Sequence, residues 1–200
     1  MTCREKAEIA FKEEFAKIKD KVLLETVLTI FNNEVPDYFF TAPASSSGKY
    51  HPAISNGKGG LIRHTKLTVA VAEDLMQAFG IAEQDIKDCI IVACILHDIL
   101  KFGQNADENG RSKENTTKTH GYAAYLVLLK YSLYECIRNA VAGHMGIWSC
   151  PEAMPHTFLV SQATVTEIVM LADYIASRDL DKIYRKLDIK YEELFDEARI

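Results

Sequence analysis

One stretch constrains this chain more than any other: QDIKDCIIVACILHDILKFG, from Gln84 to Gly103. Its apolar residues Ile86, Cys89, Ile90, Ala93, Leu96 and Leu100 recur at helical spacing, which predicts a helix lying in the core. At the inner end of that helix stand a histidine and an aspartate side by side, His97-Asp98, with Lys101 one turn later. Burying an imidazole and a carboxylate costs on the order of several kcal/mol unless they are paired or bind a metal. Neighbouring residues on a helix point about 100° apart. One ion can therefore take both side chains while the carboxylate leans toward a second ion. A helix end with a solvated aspartate accounts for the dipeptide equally well, so the remainder of the chain has to decide.

The 200 residues suit one domain with a full-sized core. A formal net charge of −5 argues against a general nucleic-acid coat protein, which carries a basic excess, but leaves room for a small basic pocket. Five cysteines, Cys3, Cys89, Cys94, Cys136 and Cys150, form no C-x-x-C pair, and Cys89 and Cys94 fall in the apolar helix as small hydrophobes. This usage points to a reducing compartment and no disulfide framework. The first residues, MTCREKAEIAFKEEF, are charged throughout and lack the apolar stretch of a signal peptide. No run approaches the roughly 20 apolar residues that span a bilayer. The expected location is cytoplasmic, with no membrane partner.

Glu5 to Asn32 reads as helix, with a break near Asp20. From Asn33 to Gly60, with Pro36, Pro43, Ser45 to Gly48, Pro52 and Gly57 to Gly60, the pattern gives way to a long loop of the kind that often carries function. Leu61 to Phe79 reads as a helix ending at Gly80, and Gln104 to Lys118 as a polar surface loop. Gly121 to Tyr131 and Leu133 to Ala142 are two shorter helices, Gly146 to His156 is loop, and Ser161 to Ser177 is a strongly apolar helix. Asp179 to Ile200 is an amphipathic tail. With no convincing strand, the expected class is all-α. The division is one domain over 1–200, with N-terminal helices in 1–38, a core in 39–178 and the tail in 179–200.

The remaining histidines fall on separate helices. His64 lies within RHTKLTVAVAEDL, His120 opens THGYAAYL, and His144 closes AVAGHMG. Asp173 interrupts the apolar run IVMLADYIAS. Each has a plain explanation alone: His64 as a hydrogen-bonded core residue, His120 and His144 as helix caps, Asp173 as a partner of Arg178. Together they supply enough ligands for a divalent ion with open positions. Imidazole plus carboxylate suits Mn, Fe, Co, Ni or Zn, with Mg also admissible, rather than a thiolate-bound structural Zn.

At this point the sequence resembles the HD-domain metal-dependent phosphohydrolases, whose pattern is H…HD…D with two further histidines before the last aspartate in two-metal members. His64, His97-Asp98 and Asp173 match the first pattern in order, and His120 and His144 match the added pair. The stretch FFTAPASSSGKYHPAISNGKGGLIRHT is also similar to the entry of the HD domain of bacterial 3′–5′ exoribonucleases, with its H-A…GGLLEHT run. The resemblance covers Phe39 to Arg178. It departs at Leu100, which replaces the glycine of the family's HD-I-G-K while Lys101 is kept.

The resemblance implies a compact all-α HD fold holding one or two divalent ions. One ion falls to His64, His97, Asp98 and Asp173, the other to His120 and His144 with Asp98 bridging. It implies hydrolysis of a phosphomonoester or phosphodiester of a nucleotide or short oligonucleotide by a metal-activated hydroxide, with Asp98 and Lys101 catalytic. Lys101, His51 and Arg178 are the candidates for contacting the phosphorylated substrate. Two alternatives stand beside this: a one-metal nucleotidase in which His120 and His144 serve as acid or phosphate contacts, and a non-catalytic nucleotide-sensing scaffold. Trp148 is expected in the core, with base stacking as its alternative. Because imidazole binds metal only when unprotonated, occupancy is expected to fall as pH drops through about 6.5.

Overall fold

The N-terminal amphipathic run forms three helices rather than one. In the computed structural model, which describes residues 1–45, 51–114, 116–157 and 163–178, α1 (Cys3–Ala10) opens on a capping box between Thr2 and Glu5. Phe11 leaves helical geometry, and α2 (Lys12–Lys17) follows. The second break falls at the expected place. Asp20 caps α3 (Lys21–Glu34) by accepting from the amides of Val22 and Leu23. Breaking a helix leaves amides without acceptors, and those of Lys19 and Asp20 donate to one oxygen of the buried Asp88 at 2.9 and 2.7 Å. Gln84 Nε2 donates to the other oxygen at 2.7 Å. The break is thereby tied to the central helix. Beside it, Phe11, Phe15, Phe31 and Phe39 pack with ring centroids 5.7–6.2 Å apart.

The long loop carries two short 3-10 turns, Asp37–Phe40 and Ala53–Ser55, and doubles back on itself. Ala44 N donates to Ser55 O and Gly59 N to Thr41 O, both at 2.8 Å. The fold-back needs glycine at position 60, where an added Cβ would stand 2.1 Å from Ser55 O. Helix α4 (Gly60–Ala78) starts there and ends at Phe79, followed by Gly80 with φ 67° as the sequence predicts.

Helix α5 (Gln84–Leu96) is shorter than its hydrophobic pattern suggests. It stops at Leu96 with His97 as its cap, and residues 97–102 wind on in turns. Ile99, Leu100 and Phe102 remain buried, so the apolar spacing continues after the helical hydrogen bonds end. Two features turn the backbone. Gly103 takes φ 80°, and the Tyr38 hydroxyl accepts from Phe102 N at 3.1 Å while donating to Gly103 O at 2.8 Å.

Helices α6 (His120–Leu128) and α7 (Glu135–Gly143) form an antiparallel pair. A short turn over Gly146–Trp148, then α8 (Met154–Thr157), lead to α9 (Ala163–Ala176). Helix α5 packs against α4, α7 and α9, and every residue from Asp88 to Leu100 is buried, which is the pattern of a helix covered on all sides. Among the described residues every regular element is helical, and no helix is long and apolar enough to cross a membrane. The amphipathic tail 179–200 lies outside the described residues.

Candidate metal centre

The five ends and faces that meet at His97 come from α4, α5, α6, α7 and α9. Asp98 is at their centre, with no exposed surface, and its two oxygens face different partners. Oδ2 lies 3.2 Å from His97 Nε2 and 3.5 Å from His64 Nε2. Oδ1 lies 3.1 Å from His120 Nε2 and 3.7 Å from His144 Nε2. Asp173 Oδ1 closes the Oδ2 side, 3.0 Å from His64 Nε2 and 3.7 Å from His97 Nε2. His64, His97 and Asp98 thus present ligand atoms to one point, and Asp98, His120 and His144 to another.

The main chain sets the imidazoles. His97 Nδ1 donates to Cys94 O at 2.6 Å, His120 Nδ1 to Thr116 O at 3.0 Å, and His144 Nδ1 to Val141 O at 2.8 Å. A carbonyl only accepts, so each Nδ1 carries a proton and each Nε2 is turned inward, offering a lone pair whenever the ring is neutral. His120 and His144 then face each other at 3.0 Å, and His97 faces His64 at 3.2 Å. The lone pairs of His120 and His144, opposed at that distance, repel unless a cation lies between them and the carboxylate. The donor set therefore fits divalent metal, with its rings oriented in advance. Close approach of α6 to α7 depends on Gly121, where a Cβ would stand 2.8 Å from Val141 O and 3.1 Å from His144 Cε1.

Burial drives the histidine chemistry. Desolvation pushes His144 down to about 3 and also lowers His64, so both favour the neutral, ligating form. The expected loss of occupancy near pH 6.5 is thus displaced to lower pH for His144. Burial opposes ionisation of Asp98, yet the Lys101 ammonium and His97 outweigh it and hold the carboxyl well below the usual range. Asp173 is treated the same way, its burial overcome first by its hydrogen bond with His64. Burial also resists protonation of His97, but the Asp98 carboxylate beside it raises its pKa.

Lys101 reaches Asp98 Oδ2 at 2.5 Å across the turn, not along a helix face, because α5 has already ended. His51 is carried back over α4 by the folded loop. Its ring meets that of His64 edge-on at 4.7 Å, and among the described residues neither ring nitrogen has a hydrogen-bond partner. Arg178 lies with its guanidinium 4.1 Å from the centroid of the Tyr174 ring rather than with the six. Trp148, expected in the core, is 52% exposed and stacks on Tyr174. His156 lies apart from the six, where it hydrogen-bonds Asn139 and packs on Tyr125.

A family model described as HD domain matches residues 61–178, more than half of the chain. The chain belongs to the HD-domain superfamily, whose members are mostly metal-dependent phosphohydrolases. No curated protein and no solved structure matches it.

Proposed function

We propose that this protein is a metal-dependent phosphohydrolase that cleaves a phosphomonoester or phosphodiester of a nucleotide or short oligonucleotide. The observation that carries the proposal is the division of Asp98, one oxygen to each of two histidine pairs. His64, His97, Asp98 and Asp173 would hold one divalent ion, and His120 and His144 a second that shares Asp98. When bound, such ions polarise phosphoryl oxygens and make water acidic enough to supply a nucleophile near neutral pH.

The chain's own groups do the remainder. The carbonyls of Cys94, Thr116 and Val141 keep three imidazoles in the ligating tautomer. Lys101, 16% exposed, brings a positive charge to the mouth of the centre, where it meets the charge that develops on a phosphoryl oxygen. His51 offers two buried, unpartnered nitrogens beside His64 and is suited to hydrogen-bond the ester. Arg178 contributes at the rim. Five cysteines without a disulfide support a reducing, cytoplasmic setting.

The test is hydrolysis by protein of measured metal content against nucleotides, cyclic nucleotides and short RNA and DNA. Metal-dependent release from at least one class is expected. Metal-loaded protein that turns over none of them overturns the proposal.

A further inference from the structure

Two large aromatic side chains stand in the open beside this centre. Trp148 and Tyr174 are 52% and 43% exposed, their planes lie within 10° of each other, and their centroids are 6.1 Å apart. Arg178 Cζ sits 4.1 Å from the Tyr174 ring centroid and extends the stack with a cation. The apolar surface continues: Ile147, beside Trp148, is 70% exposed, and Leu171, one turn before Tyr174, is 36% exposed. Rings this large are normally covered, and a contiguous exposed group of them marks a binding surface.

Its place in the chain matters. Tyr174 directly follows Asp173, which closes the Oδ2 side, and Trp148 lies four residues beyond His144, which faces Oδ1. Each ring is thus carried by a segment that also carries a ligand, from opposite sides of Asp98. Flat, apolar, cation-edged surfaces of this kind hold unpaired bases, because every base has a face to stack while a paired base hides it.

We infer that Trp148, Tyr174 and Arg178 form a stacking platform for an unpaired base next to the scissile phosphate, so that the substrate is a single-stranded oligonucleotide. The inference rests on the phosphohydrolase proposal for its choice of ligand.

Trp148 is the only tryptophan of the chain, so its emission reports the platform directly. Purified full-length protein with its metal in place is titrated with a short phosphorothioate oligothymidylate, with an abasic oligomer of equal length, and with the thymidylate paired to its complement. The base-bearing single strand is expected to quench Trp148 saturably and to bind about fivefold or more tighter than the other two. Tyr174→Leu, at a half-exposed position, is expected to lose about fivefold or more of that affinity while leaving the abasic oligomer unaffected. Equal binding of abasic and base-bearing strands, or no effect of Tyr174→Leu, overturns the inference. Emission that changes on simple dilution of the protein assigns the surface to a second copy and also overturns it. The two proposals fail separately: quenching without hydrolysis of the unmodified strand under any metal sinks the phosphohydrolase, and hydrolysis without quenching sinks the platform.

Discussion

The two sides of Asp98 are built from the same residue types but are balanced differently. On the Oδ2 side the charges largely answer one another. Lys101 neutralises the shared carboxylate, and Asp173 supplies a second anion within 3.0 Å of His64. On the Oδ1 side two imidazoles, both fixed as Nδ1–H tautomers, turn lone pairs toward each other and toward an oxygen that accepts no hydrogen bond among the described residues. The first arrangement holds together with protein charges alone. The second leaves opposed lone pairs that a cation would relieve. A pair of sites can therefore share one carboxylate and still differ in affinity: two carboxylates favour tight binding, whereas two imidazoles and half of one carboxylate favour weaker, acid-sensitive binding.

The most severe way to break this comparison is Asp98→Ala, which removes the shared member. Both ions are expected to leave, and hydrolysis to fall to background, roughly 10³-fold or more, when metal content and turnover are measured together. A variant that keeps either ion would show that the two sides do not depend on a common oxygen. The paired substitution His120→Ala/His144→Ala strikes one side only. It is expected to lose one ion and keep the other, read by metal analysis under saturating metal. One ion in both wild type and variant would reduce the centre to a single-metal site, with His120 and His144 acting on the leaving group or the phosphate.

The ordered residues His64, His97-Asp98, His120, His144 and Asp173 were legible in the sequence because each needed a separate excuse for its position. Convergence of six such residues is harder to excuse. The all-α class followed from spacing in the same way, and so did the break at Asp20. What the sequence could not carry was backbone geometry. Apolar spacing runs unchanged through Leu100, so nothing in it marks the end of α5 at Leu96. The carbonyls that orient the histidines belong to Cys94, Thr116 and Val141, whose side chains say nothing of the task. Gly121 is visible as a glycine, but its purpose, admitting α7, exists only in three dimensions. Trp148 misled because size and hydrophobicity favour the interior, whereas its neighbours place it on an exposed stack.

Lys101→Ala sharpens the comparison with a smaller effect. Turnover is expected to fall roughly 10²-fold with two ions retained, as for loss of one group that stabilises developing charge. Wild-type turnover in this variant would leave Lys101 as the neutraliser of Asp98 alone. The mildest test is pH. His144 is held down to about 3 by burial, while the unfolded chain protonates histidine near 6.5. Between those values the unfolded chain binds the extra proton, so stability is lost as pH falls through this window. His64 is shifted the same way, and the lowered Asp98 and Asp173 add stability that is lost as pH falls further, whereas the raised His97 opposes the trend. The thermal midpoint of chelated protein is expected to drop from pH 7 to pH 4, roughly 2–4 °C for each kcal/mol lost. A midpoint that is level or rises over that range would show that His97 dominates.

Tyr38 ties the first forty residues to the candidate centre. Its hydroxyl is a two-way clasp on the turn between Phe102 and Gly103, and that turn begins at the shared carboxylate and contains Lys101. The family match starts only at residue 61, so the clasp comes from outside it. An excised 61–178 fragment would keep all six converging residues and lose the hydroxyl that clasps the turn carrying the lysine. The leading segment is thus more than a cap on the bundle: through Tyr38 it holds the turn that carries Lys101 to Asp98.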